Sequence, residues 1–235
     1  MARLIFDIET VGEEFDELNP TTQESLTRRI RREAEDEEDY ALLLKDLKEG
    51  LGFSPLTGRV VAIGVLDPDK DKGVVYFDTA GKNIEPFEEG NFSFKPTDEA
   101  EMLAAFWRGA VNYDEFISFS GRTFDGPFLA IRSAVHKIRP TVDLMSNRYL
   151  SSQRGPRHID LQDQFMFYGA MRRKGGLHLW CRTFGIKSPK AEGISGDDVQ
   201  GLFKQGDVEA IAKYNAGDLV ATKQLFEYWN TYLRF

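Results

Sequence analysis

The hydrophobic period changes along this chain, and that change restricts the fold more than any other feature. Residues 3–9 alternate with the two-residue period of a strand: Leu4, Phe6 and Ile8 on one face, Ile5, Asp7 and Glu9 on the other. Residues 59–66 and 74–77 are β-branched and aromatic, with the turn Asp67-Pro68-Asp69 between them. The three segments predict an antiparallel meander. Beyond them the period alternates. A helix is expected over 99–111, with Thr97 just ahead of it, and a strand buried on both faces over 116–119. A helix with Pro127 in its first turn follows to about residue 136, then a fifth short strand over 158–161. Helical signals close the chain at 177–184, 197–203 and 207–232. A meander followed by alternating helix and strand predicts one mixed α/β domain over 1–235, with a five-stranded sheet flanked by helices.

Residues 13–55 interrupt this pattern after the first strand. Thr21 with Glu24, following Pro20, reads as a capping box. Leu26 and Ile30 share one helical face, and Tyr40, Leu43, Leu44 and Leu47 share another. Two helices are expected in a charged insertion, read as a solvated surface hairpin, with a mobile lid over a site as the alternative. Residues 13–50 carry a net charge of −7, almost all of the chain's −8. That balance excludes a binder driven by global positive charge, though not a local basic groove. Arg172, Arg173, Lys174, Arg182, Lys187 and Lys190 lie in an acid-free stretch, and residues 126–158 hold six more cations against Asp143. These suit phosphate contacts or ordinary solvated surface equally.

At 235 residues the chain is long enough to bury a core without staples. The single cysteine, Cys181, rules out an internal disulfide and fits a reducing compartment. No apolar run approaches the roughly 18 residues of a membrane helix, and Asp7 stops the only apolar stretch near the N-terminus. No signal peptide or membrane contact is expected, and a cytoplasmic location is.

Asp7 and Glu9 leave the same strand face about 6 to 7 Å apart. Carboxylates held that close repel unless a proton or cation joins them, and hard divalent ions favour such oxygen ligands. Taken singly, they also read as solvated acids at a strand end. Asp125 stands between a buried strand and a helix, where an aspartate is also an ordinary helix-start device. Tyr214 and Asp218 are four apart on the last helix and share a face. His158 and Asp160 are read as a structural pair, with lining of the cleft as the alternative; His136 and His178 are read as structural or surface, and Phe128 as core. Phe124 and Trp180 admit either a core or a base-stacking role.

Together these acids follow a known order. Phe6-Asp7-Ile8-Glu9-Thr10 resembles the first motif of the DEDD superfamily of 3′→5′ exonucleases. Ser120-Gly121-Arg122-Thr123-Phe124-Asp125 resembles the second, and Tyr214-Asn215-Ala216-Gly217-Asp218 the third, in its tyrosine form (DEDDy). Lys213 stands where the histidine branch places its histidine. The run 119–129, then His158-Ile159-Asp160-Leu161, then Phe184-Gly185-Ile186 with Lys190, is similar to stand-alone proteins related to the exonuclease domain of family-B DNA polymerases. Ser120 departs from the asparagine that usually opens the second motif.

The resemblance implies a ribonuclease H-like fold and a metal-dependent 3′→5′ exonuclease. Its substrate would be single-stranded DNA or RNA 3′ ends and its product nucleoside 5′-monophosphates. Two divalent cations, Mg²⁺ or Mn²⁺, are implied at Asp7, Glu9, Asp125 and Asp218, with Tyr214 orienting the attacking water. Thr10, Ser120, Arg122, Phe124 and Lys190 are candidate substrate contacts. With no polymerase domain in the sequence, a polymerase or DNA-repair partner would act in trans. Two other readings stand beside this one: a non-catalytic nucleic-acid-binding module on the same fold, and a structure-selective endonuclease.

Overall fold

The computed structural model describes residues 1–188 and 193–234. Its strands are β1 (Arg3–Gly12), β2 (Gly58–Asp67), β3 (Lys72–Phe77), β4 (Phe87–Glu89), β5 (Phe92–Pro96), β6 (Glu115–Ser118) and β7 (Arg157–Asp160). Its helices are α1 (Pro20–Thr27), α2 (Ile30–Glu33), α3 (Glu37–Glu49), α4 (Glu99–Ala110), α5 (Asp125–Val135), α6 (Leu161–Phe165), α7 (Leu177–Phe184), α8 (Val199–Gln205) and α9 (Val208–Tyr232).

The strands form one mixed sheet in the order β4-β5-β3-β2-β1-β6-β7. β1, β2 and β3 are the expected antiparallel meander, and β6 and β7 run parallel to β1. The sheet has seven strands among the described residues rather than the five expected. The two additional strands, β4 and β5, form a hairpin whose second arm pairs parallel with β3. Their signal is weak because β4 is three residues long with two glutamates, and β5 ends on a proline that suits an edge rather than a sheet centre.

Alternation along β1 sorts the molecule into two layers. Leu4, Phe6 and Ile8 pack with Met102, Leu103, Phe106 and Trp107 of α4 and with Phe128 and Leu129 of α5. Ile5 faces the other way, toward the layer that holds Ile211, Leu219, Leu225 and Trp229 of α9. Asp7 and Glu9 share the parity of Ile5, so both carboxylates leave the sheet on the α9 side. α5 is anchored through Glu99 at the start of α4. Its carboxylate accepts from the Val60 amide (2.8 Å), from Arg132 (2.7 and 2.9 Å) and from His136 (2.8 Å). Burial alone would raise this carboxyl, but Arg132 and His136 hold it below its ordinary value.

The insertion contains three helices, α1 to α3, rather than two. Its capping also differs from expectation: Asn19, not Thr21, caps α1 by accepting from the Thr22 amide (3.0 Å), with Pro20 in the first turn. α3 has no fully buried residue, although Tyr40, Leu43, Leu44 and Leu47 are half-buried on their shared face. The C-terminal end of the insertion is tied to the end of β1. The Thr10 hydroxyl donates to the Gly52 carbonyl (2.7 Å), the Glu13 amide to the Thr57 carbonyl (2.8 Å), and Leu51 is buried.

Candidate active site

β1 runs past its parallel neighbour, and that overhang creates the site. The β1–β6 ladder ends at Ile5 and Ile117, whereas β1 stays paired with β2 as far as Gly12. Beyond Ile5 the edge of β1 facing β6 is open, a crevice at the carboxyl ends of two parallel strands. Asp125 closes it: its carboxylate accepts from the Ile8 amide (3.1 Å). Asp125 is therefore the first residue of α5 rather than its cap. Phe124 holds the cap position and makes no side-chain bond there.

On the α9 side, Asp7, Glu9 and Asp218 each offer a carboxylate oxygen, and these atoms all lie within 4.8 Å of one another. Tyr214, one turn before Asp218, is buried, and the Asp218, Glu9 and Asp7 carboxylates all bear on its hydroxyl. Between them Asn215, fully buried, donates from Nδ2 to Asp7 (2.8 Å) and to Glu9 (3.5 Å). Lys213 points away and pairs with Glu89 (2.6 Å).

The electrostatics follow from crowding. Burial pushes the Asp7 carboxyl well above its ordinary value, reinforced by Asp125, Glu9 and Asp218 and opposed by Asn215. Burial and Asp218 do the same to Glu9. Asp125 is pushed up to about 7, first by burial and also by Asp160, against the bonds from its own amide and that of Ile8. Tyr214 is pushed up by burial and by the three acids around it, so it keeps its proton.

The second-motif loop is shaped by Asp160, which accepts from the amides of Ser120 (3.0 Å), Arg122 (3.0 Å) and Gln162 (2.9 Å). Ser120 adopts a left-handed backbone (φ 63°), and its hydroxyl donates to Gln162. That geometry suits asparagine better than serine. Gly121 has no room for a side chain, since a Cβ would fall 2.3 Å from Ser118 Oγ. His158 is buried, donating from Nδ1 to the Leu144 carbonyl (2.8 Å) and accepting from Ser118 (2.8 Å). His136 bonds Glu99 and His178 bonds Ser188, so these histidines are structural, as expected.

The candidate substrate contacts divide. The Arg122 guanidinium is half-buried and donates to the carbonyls of Leu144 (3.3 Å) and Ser146 (2.5 Å). The Thr10 hydroxyl is likewise engaged, by Gly52. Lys190 lies outside the described residues. Phe128 is core, and Trp180 packs on Phe165 (4.8 Å) in the layer beneath α9. Phe124 is half-buried, with one edge against Phe53 (6.5 Å).

Two residues stand beside the site that sequence reasoning passed over. Phe53 is 57% exposed and follows the Gly52 that Thr10 holds. No sequence signal distinguishes it within an acidic insertion. Asn215 carries a signal, a buried amide inside the third motif, but one masked by its two chemically louder neighbours.

Comparison with curated proteins finds no match. The fold is similar to that of the family B DNA polymerase from the hyperthermophilic archaeon Pyrobaculum calidifontis, with a TM-score of 0.60 and 17% sequence identity. The likeness covers 97% of this chain and 24% of the polymerase chain, so this chain spans about a quarter of that protein's length. At that identity the likeness concerns the fold, which is ribonuclease H-like. A family model, described as a predicted 3′-5′ exonuclease related to the exonuclease domain of PolB, matches residues 56–235. Asp7 and Glu9 precede the matched stretch; the sheet brings them to Asp218 within it. The match spans about three quarters of the sequence, and the chain belongs to this family of predicted 3′-5′ exonucleases related to the exonuclease domain of PolB.

Proposed function

We propose that the chain is a metal-dependent 3′→5′ exonuclease acting on single-stranded nucleic acid. The observation that carries this reading is the convergence of Asp7, Glu9 and Asp218 oxygens within 4.8 Å, with buried Tyr214 one helical turn before Asp218. Three hard anionic donors, with Asp125 beside them, fit Mg²⁺ or Mn²⁺ better than a softer ion. Bound there, such ions would neutralise the carboxylates and polarise the phosphodiester. Asp7 would serve both ions, Glu9 and Asp218 one, and Asp125 the other.

In the proposed reaction a water oxygen bonds to phosphorus and the bond from phosphorus to the preceding O3′ breaks. The products are a nucleoside 5′-monophosphate and a strand shorter by one residue with a free 3′ hydroxyl. Tyr214 stays protonated, so it orients the water rather than deprotonating it. Phe124 with exposed Phe53 beside it offers a stacking surface for the terminal base, which suits an enzyme indifferent to sequence.

A basic loop supports a nucleic-acid substrate. Arg172, Arg173 and Lys174 are exposed and have no salt bridge among the described residues. The Gln162 amide donates to the Gly175 carbonyl (2.6 Å) and accepts from Ser120, which ties this loop to the one carrying Asp125. In the second basic stretch, by contrast, Arg132, Arg148 and Arg157 are paired with Glu99, Asp163 and Glu115. Replacing all three loop cations by alanine is expected to raise KM. It should also reduce the slope of log affinity against log salt by about 2, with kcat at saturation unchanged. An unaltered slope would remove the loop from the substrate path.

Digestion of matched 5′-labelled DNA and RNA strands with Mg²⁺ or Mn²⁺ tests the function. A ladder shortening one residue at a time is expected, slowed by a 3′-terminal phosphate. Early release of the labelled 5′ nucleotide would overturn the polarity, and cutting of a circular single strand would favour an endonuclease. Tyr214→Phe keeps the ring and removes the hydroxyl. Its rate at saturating metal is expected to fall roughly 10²-fold, and full activity would demote Tyr214 to packing.

A further inference from the structure

The amide of Asn215 is oriented by its surroundings. Its Nδ2 reaches Asp7 at 2.8 Å and Glu9 at 3.5 Å, bridging two carboxylates of like charge. The opposite orientation would set an oxygen against both acids. Its Oδ1 is buried and has no hydrogen-bond partner among the described residues. Buried polar atoms are normally satisfied, and a leucine would fill this place with no orphan. The orphan oxygen stays because the other end of the amide has work to do on the acids.

The sheet floor is cut to admit this side chain. Gly64 on β2 pairs directly with Asp7, so a side chain at 64 would rise on the same face. A Cβ there would lie 1.9 Å from Asn215 Oδ1 and 2.7 Å from Leu219 Cδ1. Glycine therefore clears the volume that the amide needs in order to lie beneath the two acids.

We propose that Asn215, seated on Gly64, is a positioning residue that holds Asp7 and Glu9 at the spacing required for a divalent cation. This rests on the reading of the acidic cluster as a metal site. Supporting groups of this kind typically change metal affinity or activity by 10- to 100-fold when removed.

The test is Mn²⁺ titration of the purified full chain, read by calorimetry and by the metal dependence of strand digestion. Asn215→Leu is expected to bind Mn²⁺ 10- to 100-fold more weakly and to need correspondingly more metal for half-maximal rate. Its rate at saturating Mn²⁺ should return to within a few-fold of native. Gly64→Ala, which alters no polar group, should shift affinity in the same direction by displacing the amide, and carries the test if Asn215→Leu does not fold. Native affinity and native metal dependence in the folded variants would overturn the proposal and leave Asn215 as packing. Absence of Mn²⁺ binding in the native protein would instead overturn the metal-site reading itself.

Discussion

Replacing Asp7 with asparagine is expected to slow nucleotide release by 10³-fold or more while leaving the metal-free protein at least as stable as the native one. Asp7 is the residue on which the site converges: it lies within the carboxylate cluster, accepts from Asn215 and feels the charge of Asp125, Glu9 and Asp218. A bound ion supplies several kcal/mol of transition-state stabilisation. Losing about 4 kcal/mol of it corresponds to three decades of rate at 1.36 kcal/mol each. Asparagine has the shape of aspartate and still presents an oxygen to the Asn215 amide, so no cavity or lost bond explains the defect. It also removes one of several like charges crowded in the folded state, which relieves repulsion when no cation is present. Single-turnover digestion at saturating Mn²⁺ and melting in EDTA measure the two halves. A variant keeping more than a tenth of the native rate would exclude Asp7 from the reacting centre.

This expected pairing, lost activity without lost stability, separates the acidic cluster from the rest of the buried polar groups. Glu99 is also buried and anionic, but Arg132, His136 and the Val60 amide satisfy it, so its removal would leave a half-buried arginine without its partner. Asp7 accepts from Asn215 and is surrounded by the acids Asp125, Glu9 and Asp218, with no cation among the causes that act on it. Sites whose native geometry is electrostatically unfavourable without a ligand are where function resides, because only the ligand makes the arrangement favourable.

Much of this was legible in the sequence, and the remainder was not for physical reasons. Strand parity placed Asp7 and Glu9 on one face, and helical spacing placed Tyr214 beside Asp218, because both inferences use local geometry alone. Proximity between these pairs is not local: Asp7 and Asn215 are separated by more than two hundred positions and meet through α9 crossing the sheet. The motif order supplied what periodicity could not. The engagement of Arg122 is equally non-local: a cation in a loop gives no sign of the carbonyls of Leu144 and Ser146 that fold against it. Gly64 is silent in sequence, since a glycine in a strand gives no sign of which neighbour requires the space.

Metal-induced stabilisation is expected to grow with pH, and the metal-free protein to lose stability over the same range. Asp125 has its carboxyl raised from 3.8 to about 7 by burial and nearby acids, and Asp7 and Glu9 are raised as well. A raised acid binds protons in the folded state that the unfolded chain has already released. Its contribution is therefore greatest at low pH and is lost as pH rises through the folded value. His158 has the opposite sign: burial lowers it from 6.5 to about 4, so the unfolded chain alone takes up a proton between those values. The two effects offset each other below pH 6.5. From 6.5 to 8 the opposing effect of His158 fades, because its unfolded-state imidazole is half protonated at 6.5 and almost wholly neutral at 8, and the raised carboxylates set the slope. In EDTA the melting temperature should therefore fall across this window. Mn²⁺ binds only ionised carboxylates and only in the folded arrangement, so its effect should be smallest at pH 6.5 and largest at 8. A hundredfold excess over Kd stabilises by about 2.7 kcal/mol, or about 5 to 10 °C for a chain of this size. Mn²⁺ should exceed Mg²⁺ where nitrogen or oxygen ligands discriminate between divalent ions. Asp125→Asn, which retains an oxygen for the Ile8 amide, should flatten the EDTA profile. Melting curves at four pH values, with EDTA and with each ion, decide the matter. A Mn²⁺ shift that is independent of pH, or equal in native and Asp7→Asn protein, would place the ions elsewhere on the molecule.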